Sequence, residues 1–373
     1  MEFYEKSIPK PAEDYVRVDA ERLRKFVYDV FYALGVSDND SMIVADVLVT
    51  ADLFGIESHG VQRLGRYVRG LMSGSIKVNP NIKVVRNHFA CALIDGDHGL
   101  GQVVCMRAVE LAIDKARKYG VSVIGVRNSN HFGIAGYYSL KISNENMIGI
   151  VLTNSRPLAA YTHTIGRNIG TNPISIAIPT RNPPPYLFDA ATSVIPIGKI
   201  EVLVKEGKRA PIGWGIDDKG ELTDDPKVIL ERGSVLPLGG LGEILGGHKG
   251  SGLSISIDIL CGVLTGANWG LNVGLAVKGR RANVGHFIAA IDIDKFMPLN
   301  EFLNEMEEYK KYIKSLTKHP KAERIWIPGE KAWLTMRTRL KIGIPIHKNI
   351  IRELEEIGNN VGVKFNLERM RKQ

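Results

Sequence analysis

Two short apolar runs, VSVIGV at 121–126 and MIGIVLTNS at 147–155, flank a loop, RNSNHFG, and a helix-patterned stretch, IAGYYSLKISNEN. Continuous apolar runs of this length, bounded by turn residues, read as strands buried on both faces. A strand, a helical crossover and a second strand form the unit from which α/β proteins are built. No other feature narrows the fold class as far. Further strands are expected in PISIAIP, PYLFDAATS and HFIAAIDIDKF, with a hairpin or strand pair across 82–94.

The two ends of the chain read as helical. Asp19 can cap AERLRKFVYDVFYAL, where Leu23, Phe26, Val27, Val30 and Phe31 recur at helical spacing and Gly35 stops the helix. Ser37 or Asn39 can cap DSMIVADVLVTADLF, closed by Gly55. A short helix is expected in GVQRLGRYVRGL, and GQVVCMRAVELAIDKARKY reads as a helix ended by Gly120. After the last strand the chain is mostly helical, with Pro320, Pro328 and Pro345 as breakers. No repeat or flexible linker is visible. The expected organisation is a sheet domain at 76–299 beside a discontinuous helical domain made of 1–75 and 300–373.

Composition limits the partners. Of 373 residues, 44% are hydrophobic and 24% charged, which excludes a mainly disordered chain. No apolar run reaches the ~18 residues that a membrane span needs. The opening segment MEFYEKSIPKPAEDYVRVD lacks the apolar core of a secretory signal, so a cytoplasmic location is expected. Cys91, Cys105 and Cys261 have no zinc spacing, and an odd count argues against a disulfide framework. The net charge of +9 is scattered rather than gathered in a basic arm, which suits a small-anion site better than nucleic acid.

Several segments carry candidate chemistry. In ESHGVQRLGRY, a continuous helix would align His59, Arg63 and Tyr67 on one face, a set suited to an oxyacid; an exposed polar face is the alternative. His131 follows one predicted strand and Ser155 the next, where ligands of α/β sheets gather; a loop-stabilising histidine is the alternative. In GGHKGSGLSISIDIL, glycines and Lys249 at an expected helix N-terminus suit phosphate, although a glycine-rich packing loop would look the same. Neither G-x-G-x-x-G nor the P-loop pattern occurs. Asp189 in FDAATS and Glu330 in PGEKAW also have ordinary structural readings, a buried turn and a helix start.

Taken in order, ESHGVQRLGRY, HFGIAGYYS, GTNPISIAIP, FDAATS, HKGSGLSISIDIL and PGEKAW resemble the malate/L-lactate dehydrogenase family of the non-Rossmann type, from about Val18 to Val363. Its relatives include archaeal malate, sulfolactate and ureidoglycolate dehydrogenases, diketogulonate reductase and cyclic imine reductases. The resemblance implies a non-Rossmann nicotinamide-binding sheet domain, a homodimer, and hydride transfer between NADH or NADPH and the 2-carbon of a keto or hydroxy acid. It implies His59 and His131 as acid/base candidates and Arg63 and Tyr67 as substrate ligands. Cofactor contacts are implied at Ser155, Asp189, Ala190, Ala191, the His248–Lys249–Gly250 stretch, Gly329, Glu330 and Lys331, with Thr171, Asn172 and Pro173 lining the same cleft. The NSRP segment after the strand and Ser251 are points where relatives differ, and both could affect substrate or cofactor preference. No metal is implied.

The resulting expectation is an NAD(P)-dependent 2-hydroxyacid dehydrogenase acting on malate and oxaloacetate. Reduction of another keto acid or of a cyclic imine carboxylate is the alternative, and a nucleotide-binding protein without catalysis the reading from a different class. His131, with an unperturbed imidazole ionising near ~6.5, is favoured as proton donor over His59.

Overall fold

The computed structural model describes residues 12–367; the first eleven residues of the opening segment lie outside this range. The chain begins with β1 (Tyr15–Val18), α1 (Ala20–Ala33), α2 (Asp38–Leu53) and α3 (Leu64–Met72). The Asp19 carboxylate accepts the Arg22 amide at 3.0 Å, a cap that stabilises α1 by ~1 kcal/mol. The predicted stripe of α1 is buried, each large apolar side chain contributing roughly 1.5–3 kcal/mol.

Then follow β2 (Lys83–His88), β3 (Cys91–Asp95), α4 (Gly101–Tyr119), β4 (Val121–Ser129), α5 (Ala135–Ser143) and β5 (Met147–Thr153). Next come β6 (Pro157–Ala159), β7 (Ile169–Gly170), β8 (Ile174–Ile178), β9 (Tyr186–Ala190) and α6 (Ile197–Glu206). After them lie β10 (Gly215–Ile216), β11 (Leu222–Thr223), α7 (Pro226–Glu231), β12 (Ser234–Val235) and α8 (Gly247–Asp258). The chain closes with β13 (Val284–Asp292), α9 (Leu299–Ser315), α10 (Glu330–Ile342), β14 (Ile344–His347) and α11 (Lys348–Val361).

The main sheet has seven strands in the order β2-β3-β4-β13-β5-β8-β9. The crossover unit is present, but its two parallel strands are not neighbours. β13 lies between them, antiparallel to both, with His286 opposite Val126 on one side and Thr153 on the other. A smaller sheet, β11-β10-β12-β6-β7, carries α6 and α7. Its strands of two or three residues are too short for any periodicity to show in sequence.

β1 pairs with β14, and a single core joins Val18, Leu23 and Phe31 to Ile344, Leu354 and Ile357. α2 serves two cores. Val44, Leu48 and Leu53 enter the core formed by the chain ends, while Val47 and Ala51 enter the core under the main sheet. The helix therefore carries its C-terminal end, and the ESHG segment after it, to the seam between those cores.

Candidate active site

The short helix expected in GVQRLGRYVRGL starts only at Leu64, and two 3-10 turns, Glu57–His59 and Val61–Arg63, precede it, so no continuous helix aligns His59, Arg63 and Tyr67. The cause is Asp52 at the end of α2. Its buried carboxylate accepts the Val61 amide at 2.8 Å. Gly60 passes so close that an added Cβ would stand 2.0 Å from Asp52 Oδ1. Burial pushes the Asp52 carboxyl well above its ordinary range, opposed by that amide. From α10, the buried Arg339 donates to the Asp52 carbonyl and to the Glu57 carboxylate, pinning the bend from the far end of the chain.

The bend turns the three polar side chains apart. Arg63 donates to the Ser58 carbonyl at 2.7 Å and lies 3.6 Å from Glu201 of α6. His59 and Tyr67 converge instead on His131. The His59 and His131 rings stack at 5.4 Å and 18°, and the Tyr67 hydroxyl lies 2.6 Å from His131 Nδ1. The Gly133 amide also donates to Nδ1, at 3.3 Å. A backbone N–H can only donate, so Nδ1 is the acceptor and the neutral ring carries its proton on Nε2. His59 Nδ1 lies 2.9 Å from the Ser58 hydroxyl.

Neither histidine keeps the ordinary ionisation expected of it. Burial, then Arg63 and Arg66, push His59 down to about 4. Burial, then Arg66 and His59, hold His131 well below 6.5. Both rings are neutral at pH 7 in the ligand-free site. Tyr67 is pushed up to about 12 by burial and stays protonated.

Four further residues border this cluster without having been singled out for a role in it. Gln102 of α4 is fully buried beside the Tyr67 phenol. Arg66, Arg156 and Glu201 complete its charge. Below it, His286 bridges the Thr153 and Ser129 hydroxyls at 2.7 Å each and stacks on Phe132 at 4.6 Å. It ties the ends of β4, β13 and β5 together under His131. No local pattern marks Gln102, Glu201 or His286, because each reaches the site through strand pairing or helix packing, whereas Arg66 and Arg156 lie inside the ESHGVQRLGRY and NSRP segments.

The strand register brings the other candidates to the same end of the sheet. β4 and β5 finish there, before His131 and Ser155. β8 starts there, after Thr171, Asn172 and Pro173, since Ile174 pairs with Leu152. β9 ends there, since Ala190 pairs with Ile174. Asp189 and Ala190 thus stand at this end, with Ala191 following. The Thr171 amide donates to the Ser155 hydroxyl at 3.0 Å, and its carbonyl accepts the Thr192 amide at 2.9 Å. The Asn172 amide is fully buried, accepting from the Ser155 backbone and donating to Ser254 of α8. It braces the wall of the cleft from behind. Asp189 accepts the Gly136 amide at 2.7 Å, and burial raises its carboxyl to about 6.

The PGEKAW turn docks on β9 through the Leu187 amide, which donates to the Pro328 carbonyl at 3.1 Å. Gly329 has φ 94° and Glu330 starts α10, its carboxylate held by Lys314 and the Ile327 amide. Lys331 lies over the Trp326 ring. α8 starts at Gly247 with no side-chain cap, placing His248 and Lys249 exposed in its first turn and Gly250 buried against Leu238. Uncapped amides beside a lysine fit a phosphate group. The first turn of α8 could hold a phosphate group, and the strand ends form a polar wall. Among the described residues, no three His, Cys, Asp or Glu side chains gather as a metal site.

The profile of the malate/L-lactate dehydrogenase family matches residues 18–355. Malate dehydrogenase of Pyrococcus abyssi is 54% identical over 94% of this chain and 97% of that protein. L-sulfolactate dehydrogenase of Methanocaldococcus jannaschii is 40% identical over 92% and 97%. The solved structure of malate dehydrogenase from Pyrococcus horikoshii superposes with a TM-score of 0.90 at 49% identity, covering 97% of this chain and 99% of that one.

Proposed function

We propose, for a chain that belongs to the malate/L-lactate dehydrogenase family, that malate and oxaloacetate are interconverted at the His131 end of the main sheet. The observation that carries the reading is the His131 ring, fixed through Nδ1 by Tyr67 and Gly133 so that Nε2 is left for substrate, beside a group of arginines. The bound nicotinamide supplies or accepts the hydride.

The remaining work falls to side chains. Arg63 grips the carboxylate next to the reacting carbon with its planar fork, leaving Glu201 as it does so. In reduction the keto oxygen must gain a proton, and we assign its delivery to His131 Nε2, with His59 as the orienting donor. The neutral ring has no proton to spare, so the imidazolium must form first. Substrate negative charge beside Arg63 and Arg66 offsets the cations that hold His131 low, and so favours that proton uptake. In the imidazolium, Nδ1–H donates to the Tyr67 oxygen and Nε2–H to the substrate. In the oxidation direction neutral His131 accepts the hydroxyl proton.

For the cofactor we assign Ser155, Thr171, Pro173 and the Asp189–Ala191 stretch to the nicotinamide side, and the His248–Lys249–Gly250 turn to phosphate. Gly329, Glu330 and Lys331 would border it at β9. Use of both NADH and NADPH is expected. The Asp189 and Glu330 carboxylates are engaged by Gly136 and by Lys314 and Ile327, so neither is free to grip a ribose diol or repel a ribose phosphate.

A homodimer is supported by the apolar surface around α8, where Ile244 is 99% and Leu245 80% exposed, with Leu253, Trp269 and Leu271 also exposed. No described helix is long and apolar enough to cross a membrane, and the three cysteines are free thiols, as in a reducing cytoplasm. The test is nicotinamide absorbance with NADH or NADPH and four substrates: oxaloacetate, pyruvate, sulfopyruvate and a cyclic imine carboxylate. Oxaloacetate should give the highest kcat/KM. A cyclic imine carboxylate as the best substrate would reject the reading.

A further inference from the structure

Arg63, Arg66 and Arg156 reach one small region from two parts of the chain. Arg63 and Arg66 flank the bend into α3, and Arg156 stands at the junction between the main sheet and the small one, just before β6. Arg63 is anchored by the Ser58 carbonyl and Glu201. Arg66 and Arg156 are only partly exposed, yet neither guanidinium has a hydrogen bond or ion pair among the described residues. Arg66 feels the positive charge of Arg63 and Arg156, and Arg156 feels Arg167, then Glu201 and Arg63. The neighbouring Arg167 is different, because its guanidinium is spent on the carbonyls of Ile229, Leu230 and Gly233.

Half-buried guanidiniums left without acceptors are costly unless an anion completes them. Arg63 and Arg66 act on the histidine pair, and Arg156 joins them on the side of Glu201, whose single carboxylate leaves these three cations in excess. A keto acid such as pyruvate brings one negative charge. Its homologue with a carboxylate or sulfonate on carbon 3 brings two, and one arginine cannot fork onto both ends of so short a molecule.

We propose that Arg156, seconded by Arg66, seats the anionic group on carbon 3 of the substrate, and that this subsite selects dianionic over monoanionic 2-keto acids. The assignment rests on the dehydrogenase reading above. Glu201 takes part as the counter-ion of the empty site. It sits on α6 of the small-sheet unit, so the second anion replaces it among the arginines that belong to both units.

The test compares kcat/KM for oxaloacetate, sulfopyruvate and pyruvate in wild type, Arg156→Gln and Arg156→Lys at saturating cofactor. A lost hydrogen bond between charged groups corresponds to roughly 10- to 200-fold, so the oxaloacetate-to-pyruvate ratio should fall by that factor in Arg156→Gln. Arg156→Lys keeps the charge and loses the fork, and should recover part of the ratio. The oxaloacetate and sulfopyruvate arms show which carbon-3 anion the subsite prefers. An unchanged ratio in either variant, or an equal loss on all substrates, overturns the assignment of Arg156 while leaving the dehydrogenase reading intact. A wild-type protein that reduces pyruvate but neither dianion overturns both. Should Arg156→Gln fail to fold, the ratio in Arg156→Lys decides alone, with a fall of about tenfold expected.

Discussion

The phenol oxygen of Tyr67 lies 2.6 Å from Nδ1 of His131, joining residues 64 positions apart. Through this contact α3 fixes the tautomer of a ring presented by the end of β4. Tyr67→Phe preserves the buried ring and removes only the hydroxyl. Turnover of oxaloacetate should fall by ~10- to 100-fold, since a hydrogen bond to a charged imidazole is worth about 1.5–3 kcal/mol, while KM changes little. A Tyr67→Phe enzyme with wild-type kcat would show that the contact does not serve proton transfer.

The two histidines separate by their pH profiles. The kcat/KM profile for reduction, which reports the ligand-free enzyme, should show its histidine ionisation below 6.5, because burial and Arg66 hold His131 low. The kcat profile should show it higher, as substrate charge offsets the arginines. His131→Asn should abolish this ionisation and lower turnover by ~10²–10⁴-fold. His59→Asn should weaken substrate binding and keep it. The opposite pattern would exchange the two roles.

Lys249 stands exposed in the uncapped first turn of α8, without a partner among the described residues. Lys249→Ala should raise the KM for NADH and NADPH by about tenfold, the effect of ~1.4 kcal/mol, and barely move that for oxaloacetate. Equal KM values for cofactor before and after the substitution would remove this residue from the cofactor site.

His286 is buried neutral, its ionisation pushed down to about 3 by burial. Between that value and ~6.5 the unfolded chain binds a proton that the folded chain refuses, so this group makes stability fall as pH falls through that window. Above ~6.5 it contributes no pH dependence. Asp189, raised to about 6, acts in the opposite sense between its unfolded value and 6, so the difference between variants is the clean readout. Denaturant unfolding of wild type and His286→Gln from pH 7 to 4.5 should give slopes differing by one proton, ~1.4 kcal/mol per pH unit near pH 5. Parallel slopes would mean that His286 takes up its proton while folded.

Local pattern alone determined α1, α2, α4, the β4–α5–β5 unit and the strands β8, β9 and β13. Caps, glycine stops and apolar periods act over a few residues, so Asp19 and Gly120 could be read without a partner in view. Tertiary structure decided what no period records. It placed β13 between β4 and β5, and it built a small sheet from strands of two or three residues. It set a bend at Gly60, before α3, where the buried Asp52 takes the Val61 amide. It also lowered both histidines, since desolvation and the charge of Arg66 exist only once the chain has closed around them. Arg156 and Glu201 show the limit most plainly: in sequence they are two ordinary surface-type charges 45 positions apart, and only the fold sets them around the same anion-poor cluster.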